Sequence, residues 1–110
     1  MRKGKVYYKE HFAGIITETD DGEFIFRYDE SFVTEHPHEF ITFTMPVTNR
    51  PYTDKRIFPF FDGLIPEGWL LDIASKNWKI NQNDRMGLLL ACCKNCIGAV
   101  SIEQIQEENE

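Results

Sequence analysis

The spacing of apolar residues predicts strands first, helices next and a single strand last. Lys5-Val6-Tyr7-Tyr8-Lys9 reads as a short strand rich in β-branched and aromatic residues. A turn around Glu10-His11 leads into a second strand over 13–19. Asp20-Asp21-Gly22 predicts a tight hairpin, because Asp-Gly accepts the positive φ that such turns require. The next segment, 23–28, alternates and places Phe24, Phe26 and Tyr28 on one face. Residues 31–39 read as a polar connection anchored by Phe32 and Val33. Ile41-Thr42-Phe43-Thr44-Met45 alternates again, so a fourth strand is expected with Ile41, Phe43 and Met45 inward, ended by Pro46. Residues 46–53 are expected as loop.

The pattern then changes. Asp54 is placed to cap a short helix over 55–62. A second helix is expected from Pro66, which suits a first turn, with Glu67 favourable to the helix dipole there, to about Trp78. Asn83 or Asp84 caps a third, running through Leu88-Leu89-Leu90 to about Cys93, with Asn95 as terminator. A last strand covers 97–102. The order indicates an α+β fold: a small, largely antiparallel sheet of about five strands with three helices on one side. No repeat or linker divides it. One domain is expected over 1–104, followed by an acidic tail over 105–110 expected to be disordered.

The stretch from Arg56 to Trp69, RIFPFFDGLIPEGW, is too apolar for a loop and too broken by proline and glycine for one helix. It predicts two short helical pieces meeting at an elbow. On a helical wheel Leu70, Ile73, Ala74, Asn77 and Trp78 form the expected buried stripe, with Leu71 at its margin. Trp69 stands about 110° from the stripe's centre at 100° per residue. Two placements remain open for it: exposed, as binding hot spots commonly are, or packed beneath 46–53.

Composition narrows the function classes. A net charge of −6 speaks against a nucleic-acid-binding face, which needs to be basic. Charge is uneven: Arg2, Lys3, Lys5 and Lys9 open the chain with no acid among them, whereas 18–39 hold eight acids against Arg27. This fits a solvated acidic surface or a basic partner. No apolar run is long enough to span a bilayer, which takes about 20 residues, and no secretory signal opens the chain. Cys92, Cys93 and Cys96 are too crowded for a disulfide framework and fit reduced thiols in the cytoplasm.

Motifs for chemistry are sparse. Cys93 and Cys96 form a CxxC, but zinc needs four ligands, and His36-Pro37-His38 is not at a finger-like spacing from them. Redox pairs of this kind sit at helix starts, whereas this one falls at a helix end. No nucleophile elbow, phosphate-binding glycine loop or kinase catalytic motif is present. No catalytic residue, cofactor or metal site is therefore expected.

Four segments together resemble the N-terminal subdomain of HipA-type serine/threonine kinases. They are the opening hairpin with Gly14 and Asp21-Gly22; the 41–46 strand ending in proline; Phe58-Pro59-Phe60-Phe61-Asp62-Gly63-Leu64-Ile65-Pro66-Glu67-Gly68, similar to an F-x-x-L-L-P-[DE]-G signature; and Cys96-Ile97-Gly98-Ala99-Val100, similar to a G-D-x-x-G-A-V close. Lys94-Asn95 departs from the Gly-Asp common there. The similarity runs from about residue 5 to 103. It implies a separately encoded HipS-like antitoxin that restrains a HipT/HipA-like kinase, with a HipB-like DNA-binding protein beside them. Trp69 would be the aromatic presented to the kinase, helped by Leu64, Ile65, Pro66, Glu67 and Gly68. The rivals are a structural subunit that the kinase needs for activity, a zinc or redox module, and a segment of a longer kinase.

Overall fold

The computed structural model of the protein describes residues 1–65, 68–93 and 99–105, with positions 68–70, 74 and 78 described by backbone alone. Five strands form one antiparallel sheet: β1 (Arg2–Tyr8), β2 (His11–Glu18), β3 (Phe24–Tyr28), β4 (Tyr52–Asp54) and β5 (Val100–Ile105). Their order across the sheet is β4-β3-β2-β1-β5, so the last strand returns to pair with the first. Four helices are described: α1 (Glu30–Glu35), α2 (Pro59–Asp62), α3 (Gly68–Trp78) and α4 (Arg85–Cys92).

The two opening hairpins have different turn chemistry. Lys9 and Glu10 both take positive φ, the backbone of a two-residue turn whose twist matches the strands. In the second, Gly22 has φ 85°, and Thr19 and Glu23 close the turn through their backbones. Gly14 answers a different need. A Cβ there would lie 2.2 Å from the Arg27 carbonyl oxygen, so only glycine lets β2 approach β3 this closely, beside the register shift at Val6/Tyr7.

Alternation along β3 buries Phe24, Phe26 and Tyr28 on the face that the helices cover. Phe61 of α2 packs on Phe26, and Phe32 of α1 stacks on Tyr28. Leu88 and Leu89 of α4 complete the core with Val6, Ile16 and Ile102.

The structure corrects four expectations. The 41–45 segment is a turn, not a strand: the Met45 N–H bonds to Thr42, Ile41 and Met45 are buried, and Phe43 is 86% exposed. Positions 41 and 45 share a face in a helical turn as well as in a strand, and only residue 43 distinguishes the two paths. The fourth strand lies instead at Tyr52–Asp54, across the end of the supposed loop and the residue expected to cap the next helix. The 31–39 connection contains α1, capped by the Asp29 carboxylate accepting from the Ser31 N–H, although Phe32 and Val33 anchor it as expected. The helix over 55–62 shrinks to Pro59–Asp62, because Asp54 instead caps a turn at the Arg56 N–H. The fourth correction concerns α3 and is described with the elbow. The domain boundary at 104 falls inside β5, since Ile105 still pairs with Lys3, and 106–110 lie outside the described residues.

Candidate functional site

The elbow is built from α2 outward. Pro59 opens that helix, where its missing N–H costs nothing, and Phe58 and Phe61 hold it to the core. Gly63 ends it, and the N–H groups of Leu64 and Ile65 bond back to Phe61 and Asp62. Ile65 is 3% exposed and Leu64 is half-buried against the core. Ile65 therefore supports the elbow from below and offers no surface. The Cys93 thiol donates to the Leu64 carbonyl at 3.4 Å, tying the elbow to the end of α4.

Ionic contacts fix the other side. Arg85 Nε donates to Asp62 Oδ1 at 2.6 Å, joining the end of α2 to the start of α4. Asp84 caps α4 by accepting from the Gly87 N–H. Arg2 reaches from β1 to grip both Asp84 oxygens at 2.9 and 2.7 Å, and also donates to Glu18 at 2.8 Å. Its hydrogen bond holds the Asp84 carboxyl below the ordinary value of 3.8, against the opposing effect of burial. A cleft of ≈ 610 Å³ opens beside this network, lined by Glu18, Phe24, Arg56, Asp62 and Asp84 among others. All three carboxylates in it are paired with guanidinium groups. That geometry ties β1 and β2 to the start of α4, and α4 to the end of α2, through charge-assisted hydrogen bonds.

Pro66 and Glu67 lie outside the described residues. Gly68 and Trp69 begin α3. The α3 stripe is the remaining correction: Ile73 is 45% exposed and Asn77 is exposed, whereas Leu71 packs on the core and Ser75 is 7% exposed. The inward face is set by the Ser75 hydroxyl, which donates to the Asp72 carbonyl and accepts from the Gln82 amide. A small polar residue with local partners on the buried face has no hydropathy signature, which is why the wheel was misphased. The expected core role of Trp78, and the choice between an exposed and a packed Trp69 side chain, lie outside the described residues.

For the CxxC, Cys93 is buried at the C-cap of α4, and Cys96 lies outside the described residues. Among the described residues no group of three metal-ligating side chains converges, and no helix is long and apolar enough to cross a membrane. One exposed feature escaped the sequence: Phe43, with its ring 5.1 Å from that of Phe40. The only signal for it was the ambiguous spacing at 41–45.

Comparison with known proteins agrees with this architecture. The family model described as HipA N-terminal domain matches residues 4–103. An uncharacterized protein of Haemophilus influenzae is 32% identical over 110 residues, covering 100% of this chain and 96% of that protein. A solved structure described as the N-terminal domain of HipA toxin superposes with a TM-score of 0.74 at 27% identity, covering 98% of this chain and 96% of that one.

Proposed function

Because this chain belongs to the HipA N-terminal domain family, we propose that it is a non-catalytic, HipS-like regulatory subunit that binds and restrains a separately encoded HipT/HipA-like serine/threonine kinase toxin. One observation carries the reading. The Haemophilus influenzae relative is itself little more than this domain, being covered over 96% of its length, so the fold occurs without an attached catalytic part. The chain's own site chemistry agrees, since each cleft carboxylate is tied to a guanidinium group.

The mechanism is steric. The elbow is braced from the core by Ile65 and from α4 by Arg85 and Cys93. A braced elbow loses little freedom on binding, so a tryptophan carried just beyond it makes an efficient anchor. Trp69, with Leu64, Pro66, Glu67 and Gly68 around it, would occupy or prop shut the kinase cleft. A buried tryptophan anchor contributes about 2–4 kcal/mol to a complex. Under this reading both proteins work in the cytoplasm, a HipB-like DNA-binding protein joins the same assembly, and this chain makes no direct contact with nucleic acid.

The test is co-expression with a HipT/HipA-like kinase, reading autophosphorylation and growth. Suppression of both by this chain, relieved by Trp69→Ala in a variant that still folds by circular dichroism, supports the proposal. Retained inhibition by the variant removes the steric mechanism. Kinase activity that requires this chain replaces inhibition with a structural, activity-completing role.

A further inference from the structure

The helices that cover the sheet all lie on one face, and the opposite face carries side chains that do not suit open water. Cross-strand register sorts them into rows. Ile105, Lys3, Thr17 and Ile25 form one, and Glu103, Lys5, Ile15 and Arg27 the next. Tyr7 and Phe12 close the third, with ring centroids 6.0 Å apart. An antiparallel sheet with one face in solvent normally turns polar residues outward. Here a half-buried patch of Tyr7, Phe12, Ile15, Ile25 and Ile105 is covered by no described helix. At the Phe12 end the face dips into a hollow of ≈ 250 Å³ that Ile15 and Arg27 also line, with Asp29 and Glu30 at its rim.

Charge identifies the occupant. In a chain with net charge −6, the strand rows of this face carry three cations, Lys3, Lys5 and Arg27, against the one acid Glu103, and Asp29 and Glu30 stand beyond the rows at the hollow. Among the described residues none of these three cations makes a side-chain ion pair, although Lys5 lies directly opposite Glu103. The rows are about 7 Å apart along the strands and the strands about 4.8 Å apart, the footprint of a few helical turns laid on a sheet.

We propose that this outer sheet face docks an acidic amphipathic helix of a partner protein, whose branched side chains cover Phe12, Ile15 and Ile25 while its carboxylates pair with Lys3, Lys5 and Arg27. The surface is separate from the elbow, and the inference does not rest on the antitoxin reading.

The full chain, labelled with nitrogen-15, is titrated with three synthetic peptides of about four helical turns. One carries leucine on one face and glutamate on the other. The second has lysine in place of glutamate, and the third serine in place of leucine. The acidic amphipathic peptide alone should shift the amides of β1, β2 and β3, and Lys5→Glu with Arg27→Glu should weaken it roughly ten-fold or more, about 1.4 kcal/mol or more. Both substitutions lie at outward positions, and a circular-dichroism melt checks that the fold is kept. Trp69→Ala should leave binding unchanged. Absence of binding, equal binding of the lysine peptide, or shifts confined to other elements overturns the proposal. A concentration-dependent dimer in sedimentation equilibrium, lost in the double variant, assigns the face to a second copy and overturns it too.

Discussion

Removing one oxygen atom, by Tyr28→Phe, tests how the 36–51 segment is held to the sheet. Tyr28 is 2% exposed, and its hydroxyl makes two bonds: it donates to the Met45 carbonyl and accepts from the Ile41 N–H at 3.1 Å. Both residues sit in the turn that replaced the expected strand, and both are buried. Phenylalanine keeps the ring stacked on Phe32 but leaves a backbone donor and a backbone acceptor without partners. Each such orphan costs about 1–3 kcal/mol, so the variant should lose about 2–4 kcal/mol allowing for some access of water. For a domain of this size that lowers the melting temperature by about 8–16 °C, at about 4 °C per kcal/mol. Tyr52→Phe is the internal control. Its hydroxyl donates to the Pro46 carbonyl at 2.6 Å in an exposed setting, so its loss should cost under about 1 kcal/mol. Urea denaturation of both variants measures the difference. A Tyr28→Phe effect below about 0.5 kcal/mol, or no larger than that of Tyr52→Phe, would refute the reasoning, because water would then be satisfying those groups.

The same hydroxyl makes stability fall at alkaline pH. Burial pushes the Tyr28 phenol up from 10.0 to about 12, so the unfolded chain ionises first, and stability fully present below 10 declines as the pH rises towards 12. Tyr28→Phe should flatten that decline in urea melts across the range. At the acid end the sign is opposite: Asp84, lowered by Arg2, contributes stability present above 3.8 that is lost as the pH falls through its lowered value, and Arg2→Ala should abolish that contribution. Gly14→Ala should cost about 3 kcal/mol or more in denaturant melts, since the clash is with backbone between paired strands, whereas Gly22→Ala, with open space but positive φ, should cost about 1 kcal/mol.

Where one residue type had one local solution, the sequence was legible. Asp21-Gly22 marked its hairpin, the Phe24, Phe26 and Tyr28 alternation marked the inner face of β3, and Asn83-Asp84 marked the start of α4, where Asp84 is the cap. The misses share a cause: local patterns with two readings. Ile41 and Met45 fit a strand and a turn equally, and Tyr28 decided between them from thirteen residues away. Strand β4 is three residues behind a proline, too short for any period to register. At the candidate site the short helix α2 and its end were visible from Pro59 and Gly63, but the bracing was not. Arg2 and Asp84 stand eighty-two positions apart, and nothing local in either announces the other.

The pairing of β5 with β1 sets an order of events during synthesis. Strand β1 is synthesised before β5, so one of its two edges has no partner until residues 100–105 follow. Until then it is a seven-residue edge strand, able to pair with any other exposed strand it meets. A nascent or truncated chain lacking β5 should therefore aggregate or seek chaperones, even though its hairpins and aromatic core are already encoded.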